Sequence, residues 1–331
     1  MCNVLEARVG HVTPGEVAFP NPDNFDPIVK DTSATVVVKL VTFAVGLSLA
    51  IIFPRIASHF APTMWFVITA LVSIVPLSST CFFVDKLRYV GVLAKTTQGL
   101  CMILTNYFFN FWIWLNPQIS LREKGSTAKW DSLPKGSFVL AKHCSQFDVI
   151  LFGAIINPPS VAFNVKIYYQ KSLSKIPIFG LMFKWWGHFP VYFINDKQAN
   201  RSVDKDKQEE VTALVDKFVS TKQGYLCVLP EGGINHEPTT LQPFRHGGFA
   251  PAIKYKVPLF ALVHVGLSTM WPKTAKIGGN RARITWRLVK INVDYNDSGL
   301  TAAALADSCQ AQIQKHLDLL WKAETTGGDH D

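Results

Sequence analysis

The chain has 331 residues, of which 48% are hydrophobic, and a formal net charge of +9 at pH 7. Its six cysteines form no CxxC pair, which argues against a zinc site and a disulfide framework and favours a reducing compartment. The positive charge would suit anionic lipid, a polyanionic cofactor or nucleic acid, and because apolar residues are concentrated near the N-terminus we rank lipid first and expect no nucleic acid.

The N-terminal third predicts an irregular leader followed by a membrane region. Residues 1–33 contain several prolines and no helical period, so we expect an irregular leader there. Apolar runs at residues 35–53 and 65–84 each have roughly the 20 residues that span a hydrocarbon core. They predict a transmembrane helical hairpin within a membrane region of residues 34–116, with two buried core helices as the alternative.

Charges around the hairpin predict its orientation. Lys86, Arg88 and Lys95 follow it and Lys30 precedes it, whereas Arg55 is the only cation of the turn predicted at residues 54–62. This bias places both ends of the hairpin, and the domain that follows, on the cytoplasmic side. The aromatic stretch at residues 99–115 either lies in the membrane interface or crosses as a third span, which would reverse the side.

The rest of the chain predicts an α/β domain over residues 117–323, followed by a tail at 324–331. Buried strands are predicted at residues 137–143, 161–167, 188–194, 225–232 and 257–266. A more alternating run at 282–293 predicts an edge strand, and residues 301–322 predict a closing helix. Between strands, one helix is expected to bury Val211, Leu214, Val215 and Phe218 on one face. Such alternation favours a mixed, mostly parallel sheet flanked by helices.

The stretch HCSQFD places His143 five residues before Asp148, where an apolar run ends. On one helix these side chains would lie roughly 140° apart. A strand ending near His143 and a helix beginning around Ser145 would instead let the carboxylate hold one imidazole nitrogen and leave the other free to accept a proton. This H-x4-D pattern predicts a base and its orienting partner, with a substrate hydroxyl as the nucleophile.

A second polar block, VLPEGGINHEPTTLQPFRHGG, follows a predicted strand. Glu231 lies beside Gly232 and Gly233, which permit close backbone approach, and Arg245 follows before a predicted helix. Exposed amides and a cation at such a point suit a phosphate or an oxyanion. A capped turn between a strand and a helix is the alternative interpretation.

Four blocks in this order resemble the 1-acylglycerol-3-phosphate acyltransferase family of glycerophospholipid acyltransferases. They are HCSQFD, KSLSKIPIFG with GHFPVYFIND, LPEGG with PFRHGGF, and VPLFALV, within residues 130–270. The resemblance implies transfer of a fatty acyl group from acyl-CoA to a hydroxyl of a lysophospholipid, with 1-acylglycerol-3-phosphate as the preferred acceptor. It implies a membrane enzyme without cofactor or metal, of the endoplasmic reticulum in a eukaryote or the inner membrane in a bacterium.

Matched residue by residue, the resemblance makes His143 the catalytic base and Asp148 its partner. Glu231 and Gly232 match the Pro-Glu-Gly block, and the amides near Gly232 and Gly233 are candidates to hold an oxyanion. Lys171, Lys175 and Arg245 are candidate contacts for a substrate phosphate. Ile178, Phe179, Trp185 and Trp186 are candidates to guide the acyl chain.

The chain departs from the family pattern at several positions. Lys142 replaces an Asn before the histidine, Asn195 stands near the place of an Arg in the second block, and Gly233 and Ile234 replace a Thr-Arg pair. Because those arginines are expected to grip the acceptor phosphate, another lysophospholipid or glycerol 3-phosphate stays open as acceptor.

Three other classes also stay open. They are an inactive lipid-binding relative, a hydrolase using the thiol of Cys144, and a metal site formed by His143, Asp148 and Glu231.

Overall fold

The computed structural model describes residues 33–87, 94–156, 164–194 and 202–326. The chain divides into two compact units, Met1–Ile51 and Ile52–Asp331. Residues 1–32 of the predicted leader and residues 327–331 of the predicted tail lie outside the described residues. The domain boundaries predicted from the sequence stay predictions.

Two long apolar helices open the described chain, α1 at Ser33–Phe60 and α2 at Pro62–Lys86. Both are long and apolar enough to cross a membrane, over Leu40–Phe60 and Pro62–Lys86. The two predicted apolar runs are therefore confirmed as helices. Pro54 lies inside α1, and the helices are separated by Ala61 alone, so the turn is much shorter than predicted. Proline suits the first position of α2, where no intrahelical N–H partner is needed.

Helix α2 contacts the rest of its unit at both ends. Near its start, the ring of Phe66 lies 4.7 Å from that of Trp112 in α3, which spans Ala94–Trp114. Near its end, the indole N–H of Trp185 donates to Asp85 over 3.2 Å. Thus α2 packs along the globular part rather than projecting away from it. Helix α3 covers the predicted interfacial stretch and is not among the described helices apolar enough to span.

A seven-stranded sheet forms the centre of the second unit, in the order β1-β7-β6-β2-β5-β3-β4. The strands are β1 Ile119–Glu123, β2 Phe138–Ala141, β3 Val165–Gln170, β4 Phe189–Val191, β5 Tyr225–Val228, β6 Leu259–Val265 and β7 Ala282–Lys290. Strands β2 to β6 run in one direction, whereas β1 and β7 run in the other. The predicted mixed, mostly parallel sheet is confirmed.

The predicted edge strand is wrong in one respect, because β7 lies inside the sheet between β1 and β6. The error arises from β1, which the sequence did not predict. This strand has only five residues, and Arg122 and Glu123 at its end are exposed, so its apolar pattern is weak. Pairing with β1 covers the outer edge of β7 all the same.

Helices cover both faces of the sheet, and side-chain alternation divides the core between them. Strand β2 sends Val139 and Ala141 to one buried cluster and Phe138 and Leu140 to the other. The remaining helices are α4 Asp148–Ile155, α5 Pro177–Trp186, α6 Lys205–Ser220, α7 Ala250–Lys254, α8 Leu267–Met270 and α9 Ala302–Thr326. Helices α2 to α5 and α8 pack on the first face, and α6, α7 and α9 on the second.

Helix α6 is the one predicted from its periodic apolar residues, but its buried face is shifted. Val211 and Val215 are buried and Phe218 packs against them, whereas Leu214 is 51% exposed and Val219 is buried in its place. The face that contacts the sheet therefore follows positions 211, 215 and 219, four residues apart.

One edge of the sheet collects the residues that matter for chemistry. Strands β2, β3, β5 and β6 are parallel, so the residues that follow them, beginning at positions 142, 171, 229 and 266, lie along the same edge. Since β1 and β7 run the other way, their first residues lie along that edge too. In open α/β sheets the carboxyl ends of strands are where ligands bind.

Candidate active site

His143 and Asp148 meet at the end of β2. The imidazole Nδ1 lies 2.7 Å from Oδ2 of Asp148, where α4 begins. A carboxylate only accepts hydrogen bonds, so Nδ1 carries the proton and Nε2 keeps a lone pair. The Asp148 side chain is 1% exposed and that of His143 is 21% exposed, which leaves the imidazole within reach of a substrate.

The turn between the two residues folds around the carboxylate. Oδ2 of Asp148 also accepts from the backbone amides of Cys144 at 2.9 Å and Ser145 at 3.0 Å. Ser145 Oγ donates to the carbonyl of Trp271, and the Phe147 ring fills the core between α2 and α3. These buried contacts hold Asp148 in one position and, through it, the imidazole.

Glu231, in the loop after β5, fixes the backbone of His143 itself. Its Oε1 accepts from the amide of His143 at 2.9 Å, and its Oε2 accepts from Asn235 Nδ2 at 2.6 Å and from the amide of Gln242 at 2.9 Å. The backbone N–H of Asn235 in turn donates to the carbonyl of His143. Glu231 is 5% exposed. Its carboxylate therefore ties the loop after β5 to the turn after β2.

The two glycines after Glu231 have different surroundings. Gly232 has a φ of +67°, its amide donates to the carbonyl of Leu229, and a Cβ there would collide with the Arg245 side chain. A Cβ on Gly233 would meet nothing within 4 Å. Of the two predicted oxyanion donors, the amide of Gly232 is thus already engaged, whereas Gly233 borders open space.

Lys142, which replaces the family's Asn, is buried directly after β2. It is 1% exposed, and its ammonium donates to the carbonyl of Pro238 in the loop after β5. Burial lowers the pKa of Lys142, and the carboxylates of Glu231 and Asp148 partly counteract that effect. Lys142 is thereby a second link between the same two loops.

His264, at the end of β6, is a neighbour of Asp148 that sequence reasoning missed. Its Nε2 lies 3.3 Å from the carbonyl of Lys142 and 3.7 Å from Oδ1 of Asp148. Burial lowers the pKa of His264, with Asp148 acting in the opposite sense, so the ring is neutral at pH 7. The available signal was a single polar residue within the buried run VPLFALVHVG.

Cys144 is also next to this cluster, but its thiol is protonated. Its Sγ, a carboxylate oxygen of Asp148 and a ring nitrogen of His264 lie within 4.8 Å of one another. Burial, with the charge of Asp148 as the next cause, raises the pKa of the Cys144 thiol well above its ordinary value. Such a thiol is a poor nucleophile and a poor metal ligand, which disfavours the hydrolase.

The other predicted substrate contacts differ in their exposure and in their position in the fold. Arg245 is exposed, and its backbone amide donates to the carbonyl of Pro230 beside Glu231. Lys171 is exposed after β3, two strands from β2, with its ammonium 5.9 Å from the centre of the Tyr192 ring. Trp185 is buried and Trp186 is partly buried. The side chains of Ile178 and Phe179, and Asn195, lie outside the described residues.

Comparisons with known proteins agree with this geometry. Residues 128–265 match the family model described as Acyltransferase. The chain is similar in fold to the 1-acyl-sn-glycerophosphate (LPA) acyltransferase PlsC from Thermotoga maritima, with a TM-score of 0.57 and 13% identity over 84% of this chain and 99% of that one. No curated protein matches in sequence.

The family match covers His143, Asp148, Glu231, Arg245 and His264, which the fold brings to one edge of the sheet. The structural match, which covers 84% of this chain, shows that the fold is a known one. Residues 128–265 thus match an acyltransferase domain, and the resemblance predicted from the four sequence blocks is confirmed at the level of this domain and of the fold.

Proposed function

We propose that this glycerolipid acyltransferase is membrane-bound and transfers a fatty acyl group from acyl-CoA to a hydroxyl of a lysophospholipid, with 1-acylglycerol-3-phosphate as the preferred acceptor. The observation that carries the proposal is the 2.7 Å hydrogen bond between Nδ1 of His143 and the buried carboxylate of Asp148. It gives a base with a fixed tautomer, as direct transfer between two substrates requires, while the adjacent thiol of Cys144 stays protonated.

In the proposed reaction, Nε2 of His143 takes the proton of the acceptor hydroxyl while its oxygen attacks the thioester carbonyl. The tetrahedral intermediate then collapses, the carbon–sulfur bond breaks, and the imidazolium returns its proton to the leaving thiolate. The products are the acylated lipid and free CoA. Asp148 orients the imidazole and stabilises its positive charge in between, and a well-placed base of this kind contributes roughly 10²- to 10⁴-fold in rate.

The oxyanion of the intermediate needs donors close to His143. The loop from Glu231 to Asn235 is hydrogen-bonded to both the amide and the carbonyl of His143. Within it, a Cβ on Gly233 would meet nothing within 4 Å, so there is room for a substrate beside this residue. We therefore assign the backbone N–H of Gly233 to the oxyanion in preference to that of Gly232. Glu231 acts by holding this loop in place.

The exposed apolar surface of α2 supports the proposed attachment to a membrane. The exposed apolar side chains of this helix are Met64, Ile68, Leu71, Val72, Val75, Phe82 and Phe83. Because both ends of α2 contact the globular part, the contacts favour a helix whose outer face meets lipid along its length, over one that carries its ends to opposite sides of the bilayer. A cytoplasmic location of the domain remains part of the proposal.

The decisive experiment is acyl transfer by detergent-purified protein from radiolabelled acyl-CoA to a panel of lysophospholipids and glycerol 3-phosphate. We expect the highest kcat/KM with 1-acylglycerol-3-phosphate. His143→Ala is expected to lower kcat by about 10²- to 10⁴-fold with an unchanged unfolding midpoint. Cys144→Ala serves as the matched control in the same turn and is expected to keep its activity.

The panel also separates the alternatives. Preference for another acceptor would correct the substrate and leave the mechanism intact. Absence of transfer to every acceptor would favour a lipid-binding relative, and full activity of His143→Ala would contradict the assigned base. Loss of activity in Cys144→Ala without loss of folding would restore the thiol as a candidate nucleophile.

A further inference from the structure

A basic cavity lies at the same edge of the sheet as His143 but on different strands. It has a volume of about 700 Å³ and is bordered by the end of α1 and the first residues of β1 and β7. The cations on its wall are Arg55, Arg281 and Arg283, and His59 lies beside them. Pockets of this volume hold ligands the size of a nucleotide rather than a single inorganic ion.

The charges of this cavity are largely uncompensated. Glu324 is the one acidic residue of its lining, and among the described residues no carboxylate forms an ion pair with the three arginines. The guanidinium of Arg281 lies 2.9 Å from Nδ1 of His59, so its partner there is an imidazole rather than a carboxylate. Three guanidinium groups around one cavity suit a ligand with several phosphates, because each can bind phosphate oxygens with two hydrogen bonds.

A strip of positive charge connects the cavity to the catalytic loops. The segment from Trp271 to Arg283, WPKTAKIGGNRAR, carries four cations and no acidic residue. Lys273 in this segment donates to the carbonyl of Ile234, two residues after the loop glycine Gly232. From there the segment runs to Arg281 and Arg283 on the cavity wall. The cavity and the catalytic site are therefore two ends of one basic surface.

The distance between the two ends decides which phosphates fit. Strands β7 and β1 are two and three positions from β2 in the sheet, which at strand spacings of about 4.8 Å corresponds to roughly 10–15 Å. The phosphate of a lysophosphatidic acid is a few bonds from its reacting hydroxyl and must bind close to His143. The phosphates of CoA are separated from the thioester by the whole pantetheine arm and must bind at a distance.

We infer that the cavity lined by Arg55, Arg281 and Arg283 binds the phosphorylated adenosine head of the acyl-CoA donor, with the pantetheine arm passing over the segment at Lys273 toward His143. This inference rests on the proposed function, because it assigns the donor's place within the same reaction. It separates the recognition of the two substrates: the donor phosphates bind at β1 and β7, and the acceptor phosphate binds near β5 and β3.

Direct binding of CoA tests the inference without relying on turnover. Isothermal titration of CoA into detergent-purified protein is compared for the wild type, Arg281→Gln, Arg283→Gln and the double variant. We expect the Kd for CoA to rise about 10-fold for each single variant and more for the double variant. Lys290→Gln removes an exposed cation at the opposite end of β7 and is expected to leave the Kd unchanged.

Two truncated probes give the specific readout. Pantetheine and acyl-pantetheine lack the adenosine and its phosphates. The Kd for pantetheine and the kcat/KM with acyl-pantetheine as donor should therefore be the same in the wild type and the variants. The KM for acyl-CoA should rise with the Kd for CoA while the KM for the acceptor stays constant. An unchanged Kd for CoA in the double variant, or an equal loss for pantetheine, would overturn the assignment.

An anionic lipid headgroup is the rival source of phosphate, and vesicles distinguish it. Co-sedimentation with phosphatidylcholine vesicles, with and without phosphatidylglycerol, should be equal for the wild type and the double variant. Loss of binding to the anionic vesicles alone, with CoA affinity retained, would assign the cavity to the membrane surface.

A wild type that binds CoA through these arginines but transfers nothing would contradict the proposed function and support the donor site.

Discussion

The turn from His143 to Asp148 and the basic cavity at Arg281 lie on one edge of the sheet but are built in opposite ways. The turn is short-range and buried: its two functional residues are five positions apart, and Asp148 is 1% exposed. The cavity is long-range and open, since His59 and Arg281, which touch there, are 222 positions apart and exposed. The buried hydrogen bonds of the turn hold the reacting atoms in one position, whereas the exposed cations of the cavity are free to adjust to a ligand. Changes in the turn should therefore act mainly on kcat, and changes in the cavity on the KM for acyl-CoA.

The strongest test of this contrast is Asp148→Asn. The amide cannot stabilise an imidazolium as a carboxylate does, and it offers an N–H₂ group where the buried turn supplies donors. We expect kcat to fall by about 10²- to 10⁴-fold, with little change in the KM for acyl-CoA. Steady-state kinetics at saturating donor checks this. A variant with kcat within a factor of ten of the wild type would contradict the role assigned to Asp148.

Glu231→Gln should have the next largest effect. All three partners of the Glu231 carboxylate are N–H donors, so a glutamine must turn its own N–H₂ toward one of them. The expected loss is about 1–3 kcal/mol in the free energy of unfolding, together with a lower kcat. Chemical denaturation in detergent measures the loss. The exposed Glu237→Gln is the matched control, and a raised KM for acceptor at unchanged stability would show that Glu231 binds substrate instead.

Gly232→Ala and Gly233→Ala should differ although the residues are adjacent. Gly232 has a positive φ, and a Cβ there would displace the Arg245 side chain, whereas Gly233 faces open space. We expect Gly232→Ala to cost about 1–2 kcal/mol in the free energy of unfolding and Gly233→Ala to cost little. Denaturation curves of the two variants check this directly. Equal costs would mean that the loop has another conformation.

The smallest expected effect is a change in pH dependence caused by His264→Gln. Burial lowers the pKa of His264 in the folded chain below its ordinary value of 6.5. Below that pH the ring is protonated in the unfolded chain but stays neutral in the folded chain. The free energy of unfolding is therefore highest above about pH 6.5 and decreases as the pH falls. Comparing denaturation at pH 7.5 and 5.5, the variant should lose less stability than the wild type. An equal loss would remove His264 as a cause.

Local sequence patterns made much of the fold and of the catalytic turn predictable. The sequence predicts the strands around the buried runs, the mixed sheet, the two apolar helices and the pairing of His143 with Asp148, since each depends on residues close in the chain. The sequence did not predict β1 or the interior place of β7, because five residues with a polar end carry little signal. It also missed His264, the link from Lys142 to Pro238 and the cavity, because each brings together residues that are far apart in the sequence.

The packing of α2 has a practical consequence for anyone handling this protein. Phe66 and Cys81 of that helix belong to the same buried cluster as Phe147 of the catalytic turn. Cutting the chain at residue 117 to obtain a soluble fragment would uncover this cluster and leave the turn without its backing. Helix α2 and the acyltransferase domain should therefore be expressed, purified and unfolded together, and a detergent should be judged by whether activity survives in it.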